Sequence, residues 1–266
     1  MADNPFAEHD RVVMSPHIGA STKEAQVRIG ETIADQVPKA LRGGIVDAPV
    51  NMPQIRVLEG NLMTAYTVLA EKLGTFAAQY IDFDPDRIEV KYRGDIAQHD
   101  CTLLRLAFLK GFLGFAHDYI SYVNAEQRAD SCGVNVVDVE DPGFADYESA
   151  VKFTLTRDHD ECSCAVGGVV FSGPHPRITL IDGFTYEEEP AGNFLVIVCK
   201  PRIGIVSNIA ALLDDKRIII QNFAFAYQRE SKRNMFLIRV ADAVADADLD
   251  AFRGHPDIVT AHSIRL

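Results

Sequence analysis

Apolar residues recur every third or fourth position over two long stretches of this chain, and every second position over several short ones. The first helical stretch places Ala25, Ile29, Ile33, Val37 and Leu41 at four-residue spacing, the repeat of one helix face. Ser21-Thr22-Lys23-Glu24 in front of it reads as a capping box, with the Ser21 hydroxyl accepting from the Glu24 amide. Pro38 predicts a kink or local opening, and Gly43-Gly44 an end. Just upstream, Arg11 to Met14 reads as a short strand. One strand and one helix cannot bury their own apolar faces, so this segment is expected to lean on another chain or another domain.

Beyond an extended linker at Val50-Asn51-Met52-Pro53, Leu62, Ala65, Tyr66, Leu69, Leu73, Phe76, Ala77 and Tyr80 predict a second helix. Ile88 to Tyr92 alternates as a strand, Leu103 to Leu113 and Asn124 to Ala129 read as helices, and Val134 to Val139 as a strand. Val151 to Thr156, Cys164 to Phe171 and Ile178 to Ile181 then read as strands joined by charged or Gly-Pro turns, the connections of an antiparallel sheet. From Asn193 onward the order is strand, helix, strand, strand, helix, strand. This βαββαβ order predicts a ferredoxin-like four-stranded sheet with both helices on one face. Its other face and its edge strand are expected to pair with a second copy. The fold class is therefore α+β, in three parts: residues 1–53, 54–190 and 191–266.

Composition narrows the function. With 38 Asp and Glu against 26 Lys and Arg, the formal charge is -12, which repels a phosphate backbone, so no nucleic-acid partner is expected. The most apolar run, Leu103 to Phe115, is broken by Arg105 and Lys110 and is too short to span a bilayer, so no membrane partner is expected either. An odd count of five cysteines without a leader pattern favours reduced thiols and a cytoplasmic location. His159, Asp160, Cys162 and Cys164 mix metal-ligand types, but Cys-x-Cys on a strand beside a hairpin is read as sheet, and no metal site is expected. His117 with Asp118, and His175 between two prolines, read as loop or helix-end polar groups. Phe223, Phe225 and Tyr227 alternate as a sheet core or a sheet-to-sheet interface would.

Several blocks carry a resemblance. VVMSPHIGASTKEAQ, ALRGG and APVNMP within residues 2–53 resemble the end of the catalytic domain of D-3-phosphoglycerate dehydrogenases. YTVLAEKLG at residues 66–74, Tyr92-Arg93-Gly94, Tyr122-Val123-Asn124-Ala125 and the stretch from Arg177 to Gly183 resemble the family's intervening, allosteric substrate-binding domain, and the βαββαβ tail resembles an ACT domain. The resemblance implies that His17 is the acid-base that exchanges a proton with the substrate hydroxyl, a task that suits imidazole. It also implies that Ser15, Gly19 and Ala20 lie beside the nicotinamide. No Gly-x-Gly-x-x-Gly turn occurs in the sequence, so NAD is expected in the complete enzyme and no cofactor for this chain alone. A histidine without a positioned hydride acceptor loses most of its rate advantage, and these 266 residues are expected to be inactive on their own.

For the tail, the resemblance implies a small-molecule effector site with Gly204 as the turn glycine and Asn222 as the strand asparagine. Pro201 and Ile203 stand where the family has Asp and Pro, so no carboxylate meets an α-ammonium, a loss on the order of 2 to 5 kcal/mol. L-serine is therefore a poor fit. In the intervening domain Arg177 is kept as a basic effector ligand, whereas Glu187-Glu188-Glu189 disfavour a phosphate and read as a solvated linker. A homo-oligomer through the ACT and intervening domains is expected. Three readings stay open: a fragment of the dehydrogenase, a free-standing amino-acid-sensing module, and a subunit completed by a separate nucleotide-binding chain.

Overall fold

The computed structural model describes residues 9–42, 46, 50, 62–139, 147–160, 162–171 and 173–266. The chain divides into two compact units, Met1–Pro49 and Val50–Leu266.

In the first unit a 3-10 turn, Gly19–Ser21, leads into helix α1, Lys23–Leu41. The cap is Thr22 and not Ser21: Thr22 has extended backbone, and its Oγ1 accepts from the Ala25 amide at 3.1 Å. The 3-10 turn uses up Ser21, whose own amide donates to the Ile18 carbonyl, and shifts the helix start by one residue. Helix α1 runs through Pro38 to Leu41, and the expected stop at Gly43-Gly44 lies outside the described residues. Arg11 to Met14 form no strand. No ladder partner exists for them among the described residues, and the Val12 amide instead closes a turn on the His9 carbonyl.

The second unit opens with helix α2, Leu62–Tyr80, followed by strand β1, Arg87–Arg93, and helices α3, Thr102–Leu113, and α4, Ala125–Ser131. Strands β2, Asn135–Asp138, β3, Ala150–Arg157, β4, Cys162–Phe171, β5, His175–Ile181, and β6, Phe184–Glu188, complete a six-stranded sheet in the order β2-β1-β3-β4-β5-β6. Only the β1–β2 pair is parallel, because α3 and α4 form a crossover between them. Leu69, Leu73, Phe76 and Ala77 of α2 are fully buried, and the Phe108 ring of α3 stacks on Phe153 of β3 at 3.9 Å.

The remainder runs β7, Asn193–Cys199, α5, Ile205–Asp215, β8, Ile220–Gln228, β9, Arg233–Val240, α6, Asp246–Arg253, and β10, Ile258–Arg265. Its antiparallel order, β10-β7-β9-β8, is the ferredoxin-like plan the sequence predicts. Leu195, Ile197, Phe236 and Ile238 face Ile209 and Leu213 of α5 and Leu249 and Phe252 of α6. The opposite face is not left open for a partner. Phe194, Val196, Met235 and Leu237 are buried there, and elements of the same unit reach it. Tyr80 of α2 packs its ring 5.2 Å from that of His262, Gln79 exchanges two hydrogen bonds with the Arg265 backbone, and the Tyr186 hydroxyl of β6 donates to the Met235 carbonyl. Burial also holds the His262 imidazole below its ordinary range, that is, in the neutral form.

Candidate functional site

Strand β6 determines where polar groups converge. Its pattern alternates, with Phe184, Tyr186 and Glu188 inward and Thr185 and Glu187 outward. Glu188 is therefore a buried carboxylate, 5% exposed, and the acidic run is not a solvated linker. A buried charge needs partners. Glu188 has Arg239 of β9, which donates from Nη2, and Asn222 of β8, which donates from Nδ2. Arg239 also donates to the Glu189 carbonyl at 3.0 Å and lies over the Phe194 ring at 5.4 Å, while its Nε is buried without a partner.

A cleft of about 330 Å³ opens beside this cluster, lined by Arg177, Glu187, Glu188, Glu189, Gln221, Asn222 and Arg239. Two of the three residues predicted to hold an effector, Arg177 and Asn222, thus meet in one place. Arg177 donates from Nη1 to its neighbouring Pro176 carbonyl. Two guanidinium groups against three carboxylates leave the cleft one negative charge in excess, with both signs available to a small polar molecule. Gly204 does not line it. That glycine, at φ 85°, is the N-cap of α5, a conformation that favours glycine.

The residues implied for catalysis lie in the first unit. His17 has φ 58°, its amide donates to the Ser15 carbonyl at 2.9 Å, and the Ala20 carbonyl accepts from Gln26 Nε2 at 2.6 Å. Ser15, His17, Gly19 and Ala20 are all exposed, and a side chain at Gly19 would meet nothing within 4 Å.

A larger cavity, about 740 Å³, sits against Tyr92-Arg93-Gly94, with His99, Cys101 and Asp138 in its walls. Gly94, at φ 75°, must be glycine, because a Cβ there would fall 1.9 Å from the Glu148 carbonyl oxygen. Burial pushes the Cys101 thiol up to about 12 and raises the Tyr92 hydroxyl as well, so neither ionises near neutrality. The sequence singled out this tripeptide without assigning a cavity to it. Arg239 was missed altogether, and Glu188 was read only as part of a solvated acidic run, although the Phe184-Tyr186-Glu188 alternation carried the signal for its burial. Among the described residues no group of three or more His, Cys, Asp or Glu is placed to hold a metal ion, and no helix is long and apolar enough to cross a membrane.

Residues 62–182 match the D-3-phosphoglycerate dehydrogenase intervening domain. A D-3-phosphoglycerate dehydrogenase of Methanocaldococcus jannaschii is 31% identical over 265 residues, 99% of this chain and 50% of the relative. The chain is homologous to the C-terminal half of D-3-phosphoglycerate dehydrogenases. The enzymes of that name from Synechocystis, 27% identical over 268 residues, and Bacillus subtilis, 24% identical over 265, align over 100% and 99% of the chain. The chain spans about half the length of these curated relatives. The match to the D-3-phosphoglycerate dehydrogenase intervening domain covers α2 through β5, five of the six strands of the first sheet, and β6 and the ferredoxin-like sheet follow it.

Proposed function

We propose that this chain is the regulatory and oligomerising portion of a D-3-phosphoglycerate dehydrogenase, an enzyme of NAD-dependent 3-phosphoglycerate oxidation at the start of L-serine biosynthesis in the cytoplasm. Residues 54–190 act as the allosteric substrate-binding-like domain, residues 191–266 as an ACT domain, and residues 1–53 as the end of a catalytic domain. The observation that carries this reading is the collinear similarity to M. jannaschii D-3-phosphoglycerate dehydrogenase over 99% of the chain.

The chain's own residues do not fit a dinucleotide. Both sheets are antiparallel apart from the β1–β2 pair, and no Gly-x-Gly-x-x-Gly turn exists to present backbone amides to a pyrophosphate. Ser15, Gly19 and Ala20 can edge a nicotinamide, and His17 can move a proton, only where a nucleotide-binding domain faces them. The 266 residues are therefore inactive by themselves. The cleft at Arg177 and Asn222 is the effector site. Asn222 gives one Nδ2 hydrogen to Glu188 and keeps its second N–H and its Oδ1, so a ligand there binds beside the contact that joins β6 to the ferredoxin-like sheet and touches both domains. A second copy pairs along β8, where Phe223, Phe225 and Tyr227 stay 37%, 48% and 52% exposed on an edge strand.

NADH oxidation with phosphohydroxypyruvate tests the inactivity directly: no turnover is expected, and measurable turnover by these 266 residues overturns it. Titration calorimetry with small amino acids and phosphate esters tests the effector site. Heat that disappears in Arg177→Ala and in Asn222→Ala supports it, and heat unchanged in both variants removes the cleft from the reading.

A further inference from the structure

Four of the five thiols are sheltered: Cys164 and Cys199 are buried, Cys101 and Cys162 half-buried, and only Cys132 is exposed. Cys132 follows α4, held by its amide to the Arg128 and Ala129 carbonyls. His117 follows α3, and its Nε2 lies 3.8 Å from Cys132 Sγ. On the other side of the same ring, Arg128 Nη2 lies 3.3 Å from His117 Nδ1. A guanidinium only donates, so Nδ1 is the acceptor and the proton of the neutral ring sits on Nε2. That N–H points at the sulfur. A thiolate accepts such a bond more strongly than a thiol does. The C-terminal end of α4 opposes a negative charge there, which leaves the imidazole N–H as the group that offsets it.

Both side chains line a cavity of about 440 Å³ whose walls include Phe83, Phe112 and Phe115, with Asp82, Asp84 and Arg157 supplying charges of both signs. We propose that Cys132 is a modification site, at which a thiolate steadied by His117 exchanges with a small disulfide carrying charged amino-acid ends seated in this cavity. The sulfur loses its proton to solvent and attacks one sulfur of the disulfide. A new S–S bond forms to Cys132, the old one breaks, and the departing thiolate takes up a proton, so the incoming disulfide is the only oxidant required. This proposal does not depend on the dehydrogenase reading.

The test is incubation of the reduced chain with oxidised glutathione at neutral pH, read by intact mass and peptide mapping. One adduct is expected, on Cys132, and none at early times in Cys132→Ser. In His117→Ala the same site should react about threefold more slowly, because the attacking sulfur loses the imidazole N–H that faces it. Arg128→Ala, which releases the tautomer without touching the sulfur, should slow the reaction in the same direction. Circular dichroism identifies any variant that fails to fold, and the remaining one then decides. First modification at Cys101 or Cys162 overturns the proposal. So does a Cys132 rate that matches the denaturant-unfolded chain and is indifferent to both His117 and Arg128.

Discussion

Helices α1 and α2 each span 19 residues and each carry an apolar face, yet they end in opposite situations. Helix α2 buries Tyr66, Leu69, Leu73 and Phe76 completely, whereas none of α1 is buried and Val27, Ile33 and Leu41 remain 61%, 53% and 81% exposed. The hydrophobic period determines which face a helix will bury, but not what covers it. For α2 the cover is α3, β4, β5 and β10. A glycine in each helix makes the difference measurable. A Cβ at Gly74 of α2 would lie 2.1 Å from the Phe108 carbonyl oxygen and 2.8 Å from the Phe112 nitrogen, both backbone atoms of α3, while a Cβ at Gly30 of α1 would meet nothing within 4 Å.

The largest effect is expected at that crossing. Gly74→Ala must push α2 and α3 apart along a fully packed contact, and overpacking of this kind costs about 3 kcal/mol. Urea unfolding followed by circular dichroism should show the midpoint falling accordingly. An unchanged midpoint would mean that α2 is no better seated than α1, and the contrast between them would collapse.

A smaller loss is expected where the cover of the C-terminal sheet depends on one carboxylate. Glu188→Ala leaves Arg239 facing a buried site with one partner gone, and removing a partner from a charged group costs about 2 kcal/mol. The figure stays at the low end because Arg239 keeps the Glu189 carbonyl and borders the open cleft. The same urea experiment reads it. Glu188→Gln should recover part of the loss, since an amide oxygen can still accept from Asn222 or Arg239. If both variants unfold like the parent chain, the strand β6 contact does not hold the two sheets together.

What was legible in the sequence follows from how far apart the deciding groups are. The α2 period, the strand alternation of β3 and β4 and the βαββαβ order depend on neighbours within a few residues, and these elements form where the pattern places them. The helix start moved from Ser21 to Thr22 because a 3-10 turn and a capping box compete for the same hydroxyl-bearing pair, and local spacing does not decide between them. Strand β6 was lost because it is short and ends in glutamates. Glu188 is buried by virtue of Asn222, 34 residues later, and Arg239, 51 residues later, which no local pattern contains. Of the candidate site, Arg177 and Asn222 were legible as residues, but their meeting in one cleft is a product of sheet register: the β8 bulge between Ile220 and Asn222 sets which side chains face β6.

The smallest effect has the opposite sign and closes the comparison. With open space around its α-carbon, Gly30 carries only the backbone entropy cost of glycine in a helix, so Gly30→Ala should stabilise α1 by about 0.7 kcal/mol, a factor of about three in its local opening equilibrium. Amide hydrogen exchange across residues 25–40 reads this without global unfolding, because exchange there reports fraying and local opening. Protection should rise about threefold in α1 and stay unchanged in α2. A fall in α1 protection would show that Gly30 faces a close neighbour, and that α1, like α2, is a covered helix whose partner surface admits no side chain at that position.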